Sequence, residues 1–324
     1  MGLRIRFPEA RRSVVEMPRF SRDTNKVPAD NSHAPFFLIG PTAVGKSRIA
    51  VEFAERIGGE IIGADAFQIY AGLDLLSAKP PRELRARVPH HLIGEVPLTT
   101  VFDVAQWLAR ARECIAAIAA CGRVPVVCGG TGLYIRALTH GLAPLPAADA
   151  TLRASLEREP LPALVERLLS LDPASTVDMR NPRRVIRALE VCLLTGRPFS
   201  SFRTEWSGEV APRGSILTCA RDELHAAIHA RTDAMFAAGV IEEVAAMGEV
   251  GPTAAQMLGL AEIRAHLAGK ITRGDCMDTI RQATRQYARR QLTWFRKERG
   301  FEWIDLSVRP DPLAILLRVS QTGR

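Results

Sequence analysis

A short apolar run, Phe36-Phe37-Leu38-Ile39, leads directly into Gly40-Pro41-Thr42-Ala43-Val44-Gly45-Lys46-Ser47, which satisfies Gly-x-x-x-x-Gly-Lys-[Ser/Thr] at every fixed position. Few backbones accept that octapeptide. Its glycines let the chain wrap so that several amide N–H groups point at one anion. Lys46 adds a positive charge, and the Ser47 hydroxyl is placed to ligate Mg²⁺. Downstream, Ile49, Ala50, Phe53, Ala54 and Ile57 follow a helical apolar period. That helix would direct its positive end at the same anion. A strand before the loop and a helix after it separate a phosphate loop from a chance match. The motif specifies a phosphate ligand; it does not specify a nucleotide.

The same alternation continues. Glu60 to Ala64 reads as a second strand that delivers Asp65 at its carboxyl end. Residues 101–121 read as a helix, and Val124 to Cys128 as another buried strand running into Gly129-Gly130-Thr131-Gly132, with Leu133 to Leu138 helical after it. Strand, turn and helix in repetition predict an α/β fold: a P-loop NTPase-like core, its parallel sheet flanked by helices and its ligands at the carboxyl ends of the strands. At Pro144-Leu145-Pro146 the pattern changes. Residues 147–200 are helical, with Asn181-Pro182 opening a helix over Arg183 to Leu194 and Gly196 stopping it. Ile216 to Ala220 reads as a strand returning to the sheet, and 222–299 as helical. The expected organisation is a core of 35–146 and 213–324 carrying basic C-terminal helices, and a helical insertion domain at 147–212. Residues 1–34 read as a disordered extension, or as an upstream start preceding Met17.

With 43 basic and 35 acidic residues the net charge is +8, which suits a polyanionic partner and equally a basic enzyme without one. The placement of the arginines is more informative. Arg281, Arg285 and Arg289 recur every four residues, on one helical face, with Arg290, Arg296 and Lys297 beyond them and Tyr287, Trp294 and Phe295 interleaved. Such a face suits a phosphate backbone, or else is a solvated face packed on the core by its aromatics. Arg183 and Arg187 form a second basic pair. Asp65, with Gln68 three residues on, reads as a helix N-cap, a magnesium partner or a general base. The six cysteines include no Cys-x-x-Cys pair and are expected to be reduced thiols of a cytoplasmic protein, with Cys114 and Cys121 in packing positions. His90-His91 reads as structural, and no histidine metal site is expected. No apolar run approaches the roughly 20 residues that cross a bilayer, so no membrane partner is expected.

Six motifs in order carry a resemblance. Beside the phosphate loop stand Asp65-x-x-Gln68-Ile69-Tyr70, Ala78-Lys79-Pro80, Gly129-Gly130-Thr131-Gly132-Leu133-Tyr134, Asn181 to Glu190, and Ala283 to Arg296. Over about 36–305 the chain resembles the tRNA dimethylallyltransferases. The resemblance implies that dimethylallyl diphosphate is the ligand of Gly40, Pro41, Thr42, Ala43, Val44, Gly45, Lys46 and Ser47, with Mg²⁺ on Ser47, and that the diphosphate is a leaving group. It implies that Asp65, with Thr42 beside it, takes the proton of an attacking adenine amine, at the adenosine 3′ of the anticodon. It implies a diphosphate contact from Arg231, whose alternative is a surface ion pair. It sets Asp65, Ala66, Phe67, Gln68, Thr131, Arg153, Arg183, Arg184, Val185, Ile186 and Arg187 against a tRNA anticodon stem-loop. The spacing argument adds Arg281 and Arg285. Three positions depart from the family: Ser47 replaces Thr, Ala66 replaces Ser, and Leu260 in Gln256 to Glu262 replaces a Tyr. Prenylation of free adenine nucleotides, a small-metabolite kinase using ATP on the same loop, and a non-catalytic RNA-binding module are the rival readings. The long basic carboxyl-terminal region favours tRNA, and the chain is expected to act as a monomer.

Overall fold

In a computed structural model, which describes residues 34–205, 212–308 and 311–321, Phe36–Ile39 form β1 with all four side chains buried. A strand covered on both faces requires a continuous apolar run. The helix α1 (Lys46–Ile57) follows the phosphate loop and ends at Gly58, whose φ of 65° is the left-handed cap that favours glycine. Next come β2 (Gly59–Ala64), α2 (Arg82–Arg87) and the two-residue β3 (His90–His91). Asp103 opens α3 (Val104–Ala120) through a reciprocal capping box with Gln106. After β4 (Val124–Gly129) and α4 (Gly132–His140) come α5 (Ala150–Leu156), α6 (Leu161–Leu171) and α7 (Pro182–Thr195). The chain re-enters the sheet as β5 (Arg213–Thr218). It continues through α8 (Arg221–Ala237), α9 (Val240–Ala246), α10 (Leu260–Leu267) and α11 (Arg273–Phe295), then β6 (Glu302–Asp305) and α12 (Pro312–Gln321).

The sheet order is β3-β2-β4-β1-β5-β6, and every pairing is parallel. Leu38 of β1 lies opposite Cys128 of β4 on one side and Ser215 of β5 on the other. The phosphate loop therefore leaves the middle of the sheet, flanked by the carboxyl ends of β2, β4 and β5. Crevices at those ends are where open parallel sheets hold ligands.

The differences from expectation are local. The short β3 and β6 were not anticipated, because two to four residues carry no usable period. β5 starts at Arg213 rather than Ile216 and stops at Thr218. Its Gly214 runs so close to β1 that a Cβ there would meet the Phe37 carbonyl oxygen at 2.1 Å. Cys121, expected to pack, is exposed at the turn after α3, whereas Cys114 lies against the core beneath the sheet. The expectation for residues 1–34 falls, except for Ala34, outside the described residues. Among the described residues no helix is long and apolar enough to cross a membrane.

Helices α5, α6 and α7 build a separate apolar cluster around Leu156, Leu164, Leu168, Val185 and Leu189. At its edge Glu190 is wholly buried. Its carboxylate accepts hydrogen bonds from Arg153 Nε and Nη2 (3.0 and 2.9 Å), Arg187 Nη1 (2.5 Å) and the Asp149 amide (2.8 Å). Arg187 also donates to the Pro146 carbonyl at 2.7 Å. Burial alone would raise the Glu190 pKa, but these donors together hold it below the usual carboxylate value. The cluster ties the incoming chain, 146–149, to α7. Glu190→Ala would leave two arginines without their anion, so a loss of about 3 kcal/mol in folding stability is expected. Urea unfolding measures it, and an unchanged midpoint would mean that the cluster contributes nothing net.

Candidate active site

The phosphate loop owes its shape to backbone that only certain residues tolerate. Gly45 precedes α1 with φ 89° and Ala43 sits at φ 67°, so the loop turns its amides inward over the start of α1. Lys46 folds back over the loop, and its ammonium donates to the Pro41 carbonyl at 2.5 Å. Burial lowers its pKa from the ordinary lysine value to about 8, against the opposing pull of the Asp65 charge. Cys128, on β4 behind it, is pushed up to about 11 by burial and stays a neutral thiol.

Arg231, on α8, reaches into the same site. Its Nη1 donates to the Thr42 hydroxyl at 2.7 Å. Burial lowers its pKa, and the Asp65 charge partly offsets this. The arginine is thus set in the cleft beside the loop and not in a surface ion pair. Thr42, Asp65, Arg231, Met235, Ile280 and Tyr287 are among the residues lining one pocket.

Asp65 follows β2. One carboxylate oxygen, Oδ1, accepts the amides of Phe67 (2.9 Å) and Gln68 (3.2 Å), so the residue caps the turn that carries its own motif. The capping and functional readings are compatible, because Oδ2 is not used in that cap. Gln68 spends its side-chain amide on the Ala78 carbonyl at 2.8 Å, which joins the second and third motifs. Lys79 is buried and holds the Gly72 carbonyl (2.5 Å) and Asp74 (2.5 Å), so it braces this segment and does not face the cleft.

Thr131 accepts the Ala66 amide at 3.0 Å and donates its own amide to Ala64 at 3.1 Å. The glycines around it serve packing. A Cβ on Gly130 would meet Gln291 Nε2 at 2.3 Å, and one on Gly132 would meet the Trp294 ring at 2.2 Å. Helix α11 therefore presses directly on this turn. From it, Gln291 accepts the Thr42 amide at 2.8 Å and donates to the Gly130 carbonyl at 2.8 Å, clamping the phosphate loop to the β4 turn. Tyr287 lies beside Thr131 and Gln291, and burial raises its pKa well above the usual phenol value. Neither Gln291 nor Tyr287 was singled out from the sequence for these roles. A signal existed: Thr284 and Gln291 interrupt the otherwise apolar buried stripe Cys276, Ile280, Ala288 and Phe295 of α11.

The other sequence-predicted residues divide into two groups. Arg183 and Arg184 are exposed at the start of α7, and Arg183 hydrogen-bonds Gln256, which brings two separately named segments together. Val185 and Ile186 are buried in the α5–α7 cluster, and Arg153 and Arg187 are engaged by Glu190. Leu260 is fully buried in a cluster with Leu76, Met257 and Ile280. The basic stripe of α11 has intramolecular partners on its own side of the helix. Arg281 is ion-paired with Asp278 (2.7 Å) and with Asp233. Arg285 contacts His229 at 2.7 Å and stands two residues from Tyr287, about 160° around the helix axis. The spacing does align these arginines, but tertiary packing turns that face away from the cleft.

Residues 68–298 match the family model described as IPP transferase. The chain is 40% identical over 289 residues to the tRNA dimethylallyltransferase of Akkermansia muciniphila, covering 88% of this chain and 98% of that protein. It is 44% identical over 288 residues to the enzyme of the same name from Anaeromyxobacter dehalogenans, covering 86% of this chain and 96% of the relative. Among solved structures it is similar to the full-length tRNA isopentenylpyrophosphate transferase of Bacillus halodurans, at 33% identity and a TM-score of 0.64, with 89% and 95% of the two chains covered. A eukaryotic dimethylallyltransferase crystallised acting on tRNA shares the fold at a TM-score of 0.75 and 24% identity, over 89% of this chain and 78% of that one.

Proposed function

The chain belongs to the IPP transferase family, as a tRNA dimethylallyltransferase, and from that premise we propose how its residues do the work: they transfer a dimethylallyl group from dimethylallyl diphosphate to the exocyclic amine of the adenosine 3′-adjacent to a tRNA anticodon. The observation that carries this reading is the convergence of the Arg231–Thr42 contact and Asp65 on one pocket, with the Lys46 ammonium in the adjoining loop close enough to feel the charges of both Asp65 and Arg231. The amine nitrogen bonds to the allylic carbon as the carbon–oxygen bond to the diphosphate breaks. Negative charge then spreads over the leaving diphosphate, where the loop amides, Lys46 and Arg231 stabilise it. The amine sheds a proton, and the free oxygen of Asp65 is the acceptor. Met235, Met257, Leu258 and Ile280 offer the allyl group an apolar wall that excludes water. The acceptor base must leave its stack to enter.

Mg²⁺ fits this site through Ser47. Among the described residues no group of three or more His, Cys, Asp or Glu is arranged to hold a metal. Mg²⁺ needs no such cage, because it keeps several waters and takes phosphate oxygens. When bound it would add positive charge at the departing diphosphate. The exposed Arg183 and Arg184, with the Asp65 turn and Thr131, are the proposed tRNA contacts, with one phosphate contact per arginine. Arg184→Ala is therefore expected to weaken tRNA binding and reduce the slope of log K against log salt by about one; an unchanged slope would remove it from the interface.

Diphosphate binding should depend on pH through Lys46. In the ligand-free loop its pKa is held near 8, and a neighbouring diphosphate favours the charged form. Below pH 8 the lysine is already protonated. Above it, binding must take up a proton, so affinity falls as pH rises, by up to about tenfold per unit. Titration calorimetry at pH 9 in buffers of different ionisation enthalpy reads this uptake; Lys46→Met should abolish it, and equal heats in wild type would refute it. The reaction itself is tested by mass spectrometry of nucleosides from unmodified tRNA incubated with the protein, dimethylallyl diphosphate and Mg²⁺. A prenylated adenosine in the anticodon loop is expected. Label on free adenine nucleotide alone would refute the acceptor.

A further inference from the structure

A second cavity lies apart from the proposed catalytic one. An open groove of about 860 Å³ lies between the start of α8, the second half of α11 and the edge of the sheet at β5 and β6. Arg221, His225, Arg285, Arg289, Arg296 and Trp303 line it, and no carboxylate does. Among the described residues none of the four arginines has an acidic partner. The acidic residues of the neighbouring turn are Asp222 and Glu223, and Glu223 is held by the Ser307 hydroxyl at 2.7 Å. Glu223 and Asp305 act on Cys219 and Asp222 on His225 from outside the lining, and the lining itself carries only positive charge. The electrostatic environment agrees: desolvation first, then Arg221 and Arg285, lower the pKa of His225.

This groove is separate from the proposed active site. At 3.6 residues per turn, Arg285, Arg289 and Arg296 point about 160–180° away from Tyr287 on the same helix. They span about 16 Å along its axis. Leu224 and Leu292 form an apolar floor, and Trp303 is 37% exposed at the wall, leaving indole surface available to a ligand. Guanidinium groups take phosphate oxygens bidentately, and an indole face takes an aromatic base.

We propose that this groove is a second ligand site, for a nucleotide, with phosphates on Arg285, Arg289 and Arg296 and the base against Trp303. A bare polyphosphate would use the arginines and leave the indole idle. The nucleotide can come from two sources, a free nucleoside triphosphate or a residue of an RNA chain. The site stands independently of the prenyl-transfer reading, because none of its residues lines the catalytic pocket.

The test titrates full-length protein, its phosphate loop saturated with dimethylallyl diphosphate and Mg²⁺, with ATP, inorganic tripolyphosphate or hexaadenylate. Affinity is read by titration calorimetry for every variant, and quenching of Trp303 is read as the tryptophan fluorescence change absent from Trp303→Leu, because the chain has 4 tryptophans. Arg289→Ala and Trp303→Leu are surface changes whose folding is checked by thermal melting. Saturable ATP binding with quenching of Trp303 is expected, weakened roughly tenfold or more in each variant. The same behaviour with hexaadenylate alone would assign the groove to RNA. Tripolyphosphate binding as tightly as ATP, binding indifferent to both variants, or no binding of any probe would overturn the proposal.

Discussion

Asp65→Asn is expected to lower turnover about 10²–10⁴-fold, the usual contribution of a positioned general base, while tRNA affinity stays nearly unchanged. The asparagine is the informative variant because of how Asp65 is held. Its Oδ1 accepts the Phe67 and Gln68 amides, and an amide oxygen can keep both bonds. Only basicity is lost. Asp65→Ala would remove the base and the cap together, and losing a cap costs about 1 kcal/mol. The turn carrying Ala66, Phe67 and Gln68 would then loosen, and tRNA binding would weaken along with turnover. Single-turnover rates at saturating tRNA, with separately measured tRNA affinities, distinguish the two effects. If Asp65→Asn turned over at the wild-type rate, the proton would have to go elsewhere and Asp65 would be a turn cap only.

The second large effect is at Lys46. Lys46→Ala is expected to reduce the rate of the chemical step by about 10²–10³-fold, as for loss of one donor to a developing anion, and to weaken diphosphate binding. Arginine should not rescue it. The ammonium folds back to 2.5 Å from the Pro41 carbonyl, a contact made by a compact point charge on a flexible stem, which a longer planar guanidinium does not reproduce. Arg231→Lys offers a contrast: Arg231 grips Thr42 from a neighbouring helix, and a shorter cation there should retain part of the rate. Full rescue by Lys46→Arg would show that charge alone matters and that the folded-back geometry does not.

Much of the site was legible because its parts are contiguous in the chain. A phosphate loop needs glycines, a lysine and a hydroxyl at constant spacing, so residues 40–47 declare themselves. Asp65 could be placed because the strand before it is apolar and stops there. Asn181-Pro182 and Gly196 mark the ends of α7 by local rules of capping, and the helix runs between them as expected. What was not legible depends on contacts between distant segments. Gln291 meets the phosphate loop across 249 residues of sequence, and no local pattern records that distance. The Gly129 to Gly132 turn resembles a second anion loop in composition, yet Gly130 and Gly132 are glycines so that Gln291 and Trp294 can approach.

The arginines of α11 draw the line most clearly. Their period of four determined, from sequence alone, that they would share one face of a helix. Which way that face looks depends on where the buried stripe Ile280, Thr284, Ala288, Gln291 and Phe295 meets the sheet and the phosphate loop. That contact directs Tyr287 and Gln291 into the cleft and Arg285, Arg289 and Arg296 into a separate groove. Likewise the sequence marked Arg153 and Arg187 as basic, while burial of Glu190 between them turned both into supports for the chain at 146–149. Local stereochemistry and periodicity determine elements, loops and the faces of helices. The partner of each face is decided only when apolar surfaces from across the chain are buried together, because that free energy belongs to the assembled core and to no segment of it.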